Sequence, residues 1–152
     1  MTGERTALAL GYQPILNPVD PFEHVIGPFY ARAEPDGGTS YAFWVREDHT
    51  NMTGVAHGGM LMSFADTVVA HAAFAANGSD HVVTLSMSAS FLAPARVGDL
   101  VECRPTLIRK TAEILFVGGE FMVAGAVILS ARSLWKTIRM RPKMAGNPEI
   151  QG

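Results

Sequence analysis

The apolar positions of this chain change period twice. Between Thr39 and Arg46, Tyr41, Phe43 and Val45 alternate, with Trp44 on the opposite side, which predicts a strand. Asp36-Gly37-Gly38 before it predicts a turn and makes Phe29–Ala33 the hairpin partner. From His57 to Ala76 the composition is mostly Ala, Leu, Met and Val, and Asn77-Gly78 is a helix stop. At about 100° per residue the apolar side chains of that helix cover nearly its whole circumference, so it is expected to be buried on all sides.

Strict alternation follows. Val83, Leu85, Met87, Ala89 and Phe91 are predicted on one face of a strand, and Thr84, Ser86, Ser88 and Ser90 on the other. Pro94 and Gly98 break it. Leu100–Lys110 alternates more weakly, and Glu113–Val123 and Val127–Ile138 are two further strands joined at Ala124-Gly125. The pattern predicts an α+β fold, an antiparallel β-sheet wrapped around one long central α-helix. A sheet covers only one side of such a helix. The other side is expected to meet a second copy, giving a homodimer with helices near the two-fold axis and sheets continued edge to edge.

Composition narrows the class. A length of 152 residues suits one domain, and 48% hydrophobic with 17% charged residues excludes intrinsic disorder. A net charge of −2 excludes a dedicated nucleic-acid binder. Cys103 is the single cysteine, so there is no internal disulfide and no multi-cysteine zinc site. Ala7–Leu10 is too short an apolar run for a secretory signal, and Asp66 and His71 within the long helix argue against a membrane span. A soluble cytoplasmic protein is expected.

Charge is uneven. Residues 1–95 carry 3 Lys/Arg and 9 Asp/Glu, whereas residues 96–152 carry 9 and 5. The basic excess fits either solvated strand edges or a phosphate-bearing ligand. Pro14, Pro18, Pro21, Pro28 and Pro35 crowd the start of the chain. Residues 1–23 are therefore expected to form an extension, an extended arm with at most a short helix at its start. The main domain is expected over 24–140 and a loose tail over 141–152.

Chemistry concentrates around the long helix. Gly58-Gly59 stands where a loop becomes a helix, although glycine costs about 1 kcal/mol against alanine in a helix interior. A helix start offers unpaired N–H groups and a positive partial charge. Glycine lets a ligand approach them, as in an oxyanion hole, or simply allows close packing. Asp66 is the only charge on the helix. It is either a structural carboxylate or a general base or nucleophile. Desolvation should raise its pKa and polar neighbours should lower it.

His57 lies nine residues before Asp66, about 13.5 Å along the axis and on the opposite face. One chain cannot grip one small group with both, so they cooperate only if Gly58 of one subunit faces Asp66 of another. Thr84 either belongs to a solvated row of hydroxyls or orients a water beside Asp66. Asn51 is either turn chemistry or an amide aimed at the site. Histidines 24, 49, 71 and 81 lack metal-ligand spacing, and His71 is expected to be a satisfied helix histidine.

The segment Asn51-Met-Thr-Gly-Val-Ala-His57-Gly-Gly-Met-Leu-Met-Ser-Phe-Ala-Asp66-Thr resembles the N…HGG…D signature of hot-dog-fold acyl-CoA thioesterases. The type is that of the phenylacetate pathway and of thioesterase superfamily member 2. The later strand Val83–Phe91 and Ala93-Pro94-Ala95-Arg96-Val97-Gly98-Asp99 extend the resemblance from about Val25 to Met140. It implies Asp66 as general base or nucleophile and Gly58 N–H as donor to the thioester carbonyl. It further implies that His57 holds the turn and the substrate, that Asn51 positions water or carbonyl, and that Thr84 assists the water, where relatives often have Ser.

The implied substrate is an acyl-CoA, with CoA phosphates near Arg96 and more weakly Arg109 and Lys110. No metal or redox cofactor is implied, and the assembly is a homodimer or homotetramer. Two rivals remain at this stage: a non-catalytic acyl-CoA- or lipid-binding hot-dog module, and a hot-dog enoyl-CoA hydratase or dehydratase. Met62, Phe64, Met87, Phe91 and Trp135 fit either an acyl pocket or the core.

Overall fold

The structure is a computed structural model that describes residues 7–15, 20–78 and 81–138. The chain runs β1 (Gln13–Pro14), α1 (Pro21–Ile26), β2 (Tyr30–Ala33), β3 (Thr39–Trp44), α2 (Gly58–Ala76), β4 (Val82–Phe91), β5 (Leu100–Cys103), β6 (Thr106–Lys110), β7 (Ile114–Val123) and β8 (Ala126–Thr137). The sheet order is β1-β2-β3-β5-β7-β8-β4, with β6 added on β7. Every pairing is antiparallel. The sheet wraps one long helix, α2, as the periodicity predicts. The proposed tail, 141–152, lies outside the described residues.

The hairpin β2–β3 pairs Tyr30 with Ala42 and turns at Gly37, whose φ of 86° needs a glycine. Helix α2 ends where expected, with Asn77 at its C-cap and Gly78 at φ 69°. Its buried side chains include Met60, Leu61, Phe64, Ala65, Val68, Val69 and Ala73. Phe64 sits at the centre of the core, its ring 5.0 Å from Phe29, 4.6 Å from Phe43 and 5.7 Å from Phe121. Trp135 closes a second cluster with Val69, Leu115 and Val117. Phe64 and Trp135 are therefore core, not pocket lining. His71 stacks on Tyr41, with ring centroids 5.3 Å apart.

Burial of α2 is not complete in the single chain. Met62, Ser63, Asp66, Thr67 and Ala70 form a half-exposed stripe, and Phe74 beyond them is 37% exposed. Length and hydropathy alone would let this helix cross a membrane, but its buried side chains pack against the sheet.

Three expectations need correction. First, Leu100–Lys110 is two strands. Pro105 has no N–H to give the ladder, so the segment breaks there, and β5 and β6 each pair with β7.

Second, the alternation in β4 is interrupted. Thr84 pairs with Trp135 and Ser86 with Leu134, so Leu85 is an unpaired bulge residue. The bulge turns Val83 and Leu85 outward, 40% and 52% exposed. Val82 and Thr84 share the helix-facing side with Met87, Ala89 and Phe91.

Third, the N-terminal arm is not simply extended. Tyr12 is fully buried against Tyr30 and Ala42, and its hydroxyl donates to Glu102 Oε1 at 2.7 Å. β1 adds to the sheet edge, and α1 follows. Asp20 caps α1 by accepting from the Phe22 and Glu23 N–H groups, with Pro21 at the first helical position.

Candidate active site

The segment between β3 and α2 is a chain of local hydrogen bonds. After a 3-10 turn over Glu47–His49, Asn51 Oδ1 accepts from Thr53 N at 2.9 Å and Thr53 Oγ1 at 2.7 Å. Gly54 completes the turn at φ 74°. Asn51 is thus turn chemistry through its carbonyl oxygen, and its Nδ2 group is the part the turn does not use. The His57 N–H donates to the His49 carbonyl at 2.8 Å, and Ala56 N–H to the Ala95 carbonyl at 2.8 Å. These bonds fix the start of α2 against both the loop and the 93–96 segment. His49 itself is buried, and burial pushes its imidazole below the ordinary range.

His57 is the N-cap of α2. Its Nδ1 accepts from the Gly59 N–H at 2.9 Å, which assigns the ring proton to Nε2. The two glycines then have different reasons. A Cβ on Gly59 would stand 3.0 Å from His57 Nδ1, so a larger residue there would push on the capping imidazole. A Cβ on Gly58 would meet only the Phe91 ring at 3.5 Å, an ordinary contact. Nothing in the protomer demands glycine at 58. It faces a cleft of about 400 Å³ lined by Asn51, Gly58, Leu61, Phe91 and Pro94 among others. An orphan N–H at a helix start, bordering an open cleft, can receive a developing oxyanion.

Asp66 is on the half-exposed stripe, not in that cleft. Thr84 Oγ1 donates to its Oδ1 at 3.2 Å. Burial raises the carboxyl above the ordinary carboxylate range, and the Thr84 bond opposes the rise. The competition left open by the sequence is therefore won by desolvation. A carboxylate so placed is a better base than an exposed one.

Two groups of predicted residues emerge: Asn51, His57 and Gly58 at the start of α2, and Asp66 with Thr84 two turns on. Asp66 lies eight residues beyond Gly58, about 12 Å along the axis.

The basic candidates also separate. Arg96 pairs its backbone with Val55, beside the cleft, and its N–H donates to Asp99 Oδ2 at 2.7 Å. Lys110 Nζ donates to the Ala76 carbonyl at 2.8 Å, at the far end of α2, with Arg109 next to it. Lys110 there satisfies a C-terminal helix carbonyl. Phe91 lines the cleft, while Met87 packs partly buried between the two core clusters and Met62 is on the half-exposed stripe. Among the described residues no three metal-binding side chains come together. The sequence reading gave no role to Phe22 and Val25 of α1. Asp20-Pro21-Phe22-Glu23, an N-cap acid, a first-position proline and an acid in the first turn, was the available signal for that helix.

Comparison with known proteins shows the family and the fold. The family model of the thioesterase superfamily matches residues 53–128. A Pseudomonas aeruginosa protein described as an esterase is 31% identical over 122 residues, spanning 76% of this chain and 90% of that one. Human acyl-coenzyme A thioesterase 13 is 23% identical over 95 residues, 62% of this chain and 68% of that one. A variant of the phenylacetic acid degradation protein of Thermus thermophilus superposes with a TM-score of 0.67 at 27% identity, covering 78% of this chain and 100% of that one. The chain belongs to the thioesterase superfamily. It has the hot-dog fold and is a thioester hydrolase.

Proposed function

We propose that the chain hydrolyses acyl-CoA thioesters as a homodimer, with each site built from the α2 start of one protomer and Asp66 of the other. One observation carries this reading. The raised, Thr84-bound carboxylate of Asp66 is on a half-exposed helix face, while Gly58, at the helix start, lines a separate cleft of the same chain. A second copy packed on the half-exposed stripe, with its helix antiparallel, would bring the two kinds of group together.

In such a site Asp66 removes a proton from water, and the water oxygen bonds to the thioester carbon. The carbonyl oxygen gains negative charge, which the Gly58 N–H stabilises. A single donor of this kind is worth about 3–4 kcal/mol elsewhere. Asn51 Nδ2 is the second donor within reach of that cleft. Collapse of the tetrahedral species breaks the carbon–sulfur bond, and the proton held by Asp66 passes to the departing thiolate. Free acid and CoA thiol result. Arg96, bordering the cleft, is the cation we assign to the CoA phosphates. The name of the human relative supports the substrate class.

A thiol-trapping assay across acyl-CoA esters, run beside light scattering, tests the reading. The parent is expected to release thiol as a dimer, and Asp66→Asn to remain a dimer with turnover down about 10³-fold. Unchanged turnover in that variant, or an active monomer, would contradict it.

A further inference from the structure

Asn51 and His57 stand on a short hairpin that closes on one residue. The His57 N–H donates to the His49 carbonyl at 2.8 Å, Thr50 and Ala56 form an antiparallel bridge, and the Asn51 N–H donates to the Val55 carbonyl at 2.9 Å. His49 is thus the lowest rung, where the hairpin leaves the 3-10 turn that follows β3. The same residue exchanges two bonds with the start of that turn. Its N–H donates to the Arg46 carbonyl at 3.1 Å, and its Nδ1 accepts from the Arg46 N–H at 3.2 Å. The ring proton is therefore on Nε2.

The imidazole is held from several sides. Its side chain is only 4% exposed, although it belongs to a connecting segment. Phe43 of β3 meets it edge-on with ring centroids 5.6 Å apart, and Phe43 in turn lies 4.6 Å from Phe64 of α2. The carbonyls of Ile26, at the end of α1, and Trp44, at the end of β3, face the ring, and Asp48 Oδ1 is 3.8 Å from Nε2. One buried side chain thus joins β3, α1 and the hairpin. Packing alone would be served by leucine or phenylalanine. An apolar side chain, however, leaves the Arg46 N–H without its acceptor, and a partly buried donor stranded in that way is costly.

We infer that His49 is a positioning residue for thioester hydrolysis: its imidazole fixes the base of the hairpin, and through it the place of Asn51 and of the α2 start beside the cleft. The inference rests on Gly58 and Asn51 being the groups that meet the thioester carbonyl. Ring and carbonyl belong to the same residue. A ring that leaves its slot therefore turns the His49 carbonyl away from the His57 N–H, and the N-cap of α2 shifts with it. The ring is too enclosed to touch a substrate. Its loss acts on the transition state through geometry alone and leaves ground-state binding in place.

The test sets substitutions that keep the volume against one that keeps the acceptor, in the full chain, on its best acyl-CoA ester and well below each variant's Tm. His49→Leu and His49→Phe fill the slot without an acceptor. Their kcat is expected to fall about 10²-fold, the scale of a reacting group misplaced by about 1 Å, with KM within about twofold of the parent. His49→Asn presents Oδ1 where Nδ1 stood and is expected to keep kcat within about threefold, although it fills the slot less well. Equal losses in the acceptor-keeping and the apolar variants would mark a packing role and overturn the inference, as would an apolar variant with parental kcat. Should neither apolar variant fold, His49→Asn decides alone, a loss beyond about threefold overturning the inference. Failure of the underlying reading looks different: Gly58→Ala would then keep its turnover. An impaired Gly58→Ala beside an unimpaired His49→Leu removes this inference only.

Discussion

Thr84 Oγ1 reaches Asp66 Oδ1, at 3.2 Å, because β4 carries a bulge at Leu85. Without the extra residue, Thr84 would face away from the helix, opposite Met87 and Ala89. The bulge re-aims one hydroxyl onto the single charged side chain of α2.

The pair sets a pH dependence. Asp66 must be ionised to act as a base, and burial raises its pKa above the ordinary value of about 3.9. Activity should therefore fall on the acid side through a limb displaced upward from that value. The Thr84 bond lowers the Asp66 pKa, so Thr84→Val should move the limb to still higher pH and reduce kcat. A kcat/KM profile against pH checks it. A limb that stays put in Thr84→Val would show that the bond does not tune the base.

Linkage gives a second expectation. A carboxyl whose folded pKa is raised binds its proton more tightly when folded. Its most favourable contribution to stability lies below the unfolded pKa, and it is lost as pH rises through the folded value. Asp66→Asn should accordingly be more thermostable than the parent at neutral pH while inactive, and the gap should narrow on acidification. Thermal melts at two pH values decide the point, since a lower Tm for Asp66→Asn at neutral pH contradicts it.

The two glycines at the start of α2 should part company. Gly58→Ala places a methyl at an ordinary 3.5 Å from Phe91, so stability should hold. That methyl intrudes on the cleft beside the N–H donor, and kcat/KM should drop about 10²-fold, the cost of a misplaced reacting group. Gly59→Ala presses on His57 Nδ1 at 3.0 Å and should loosen the cap, costing about 0.5–2 kcal/mol. Melting curves and kinetics on the two variants separate the roles.

Much of this was visible in the sequence, for identifiable reasons. Helix α2, its stop at Asn77-Gly78, and the glycine pair are local signals, and the structure repeats them. The separation of His57 from Asp66 along the axis followed from the helical rise, but His57 is an extended N-cap at φ −62° and ψ 136°, so the 100° wheel that put the two on opposite faces does not apply to it. The bulge was hidden because Val83 and Leu85 are apolar, so they prolong the alternation of Met87, Ala89 and Phe91 although they face outward. The break at Pro105 was masked by apolar residues on both sides. The burial of Tyr12 depends on Tyr30, Ala42 and Glu102, far away in sequence, which no local pattern encodes. Helix α1 had its signature in Asp20-Pro21, but the abundance of prolines around it favoured an extended reading.

The central claim, that each site takes Asp66 from one protomer and the α2 start from another, is tested most directly by complementation. Asp66→Asn and His57→Ala chains, each inactive alone, would be unfolded together, refolded and assayed for thiol release. The account predicts recovery of about a quarter of parental activity, because random pairing makes half the dimers mixed and each mixed dimer has one intact site. A mixture as inactive as its components, with mixed dimers confirmed by mass, would contradict it.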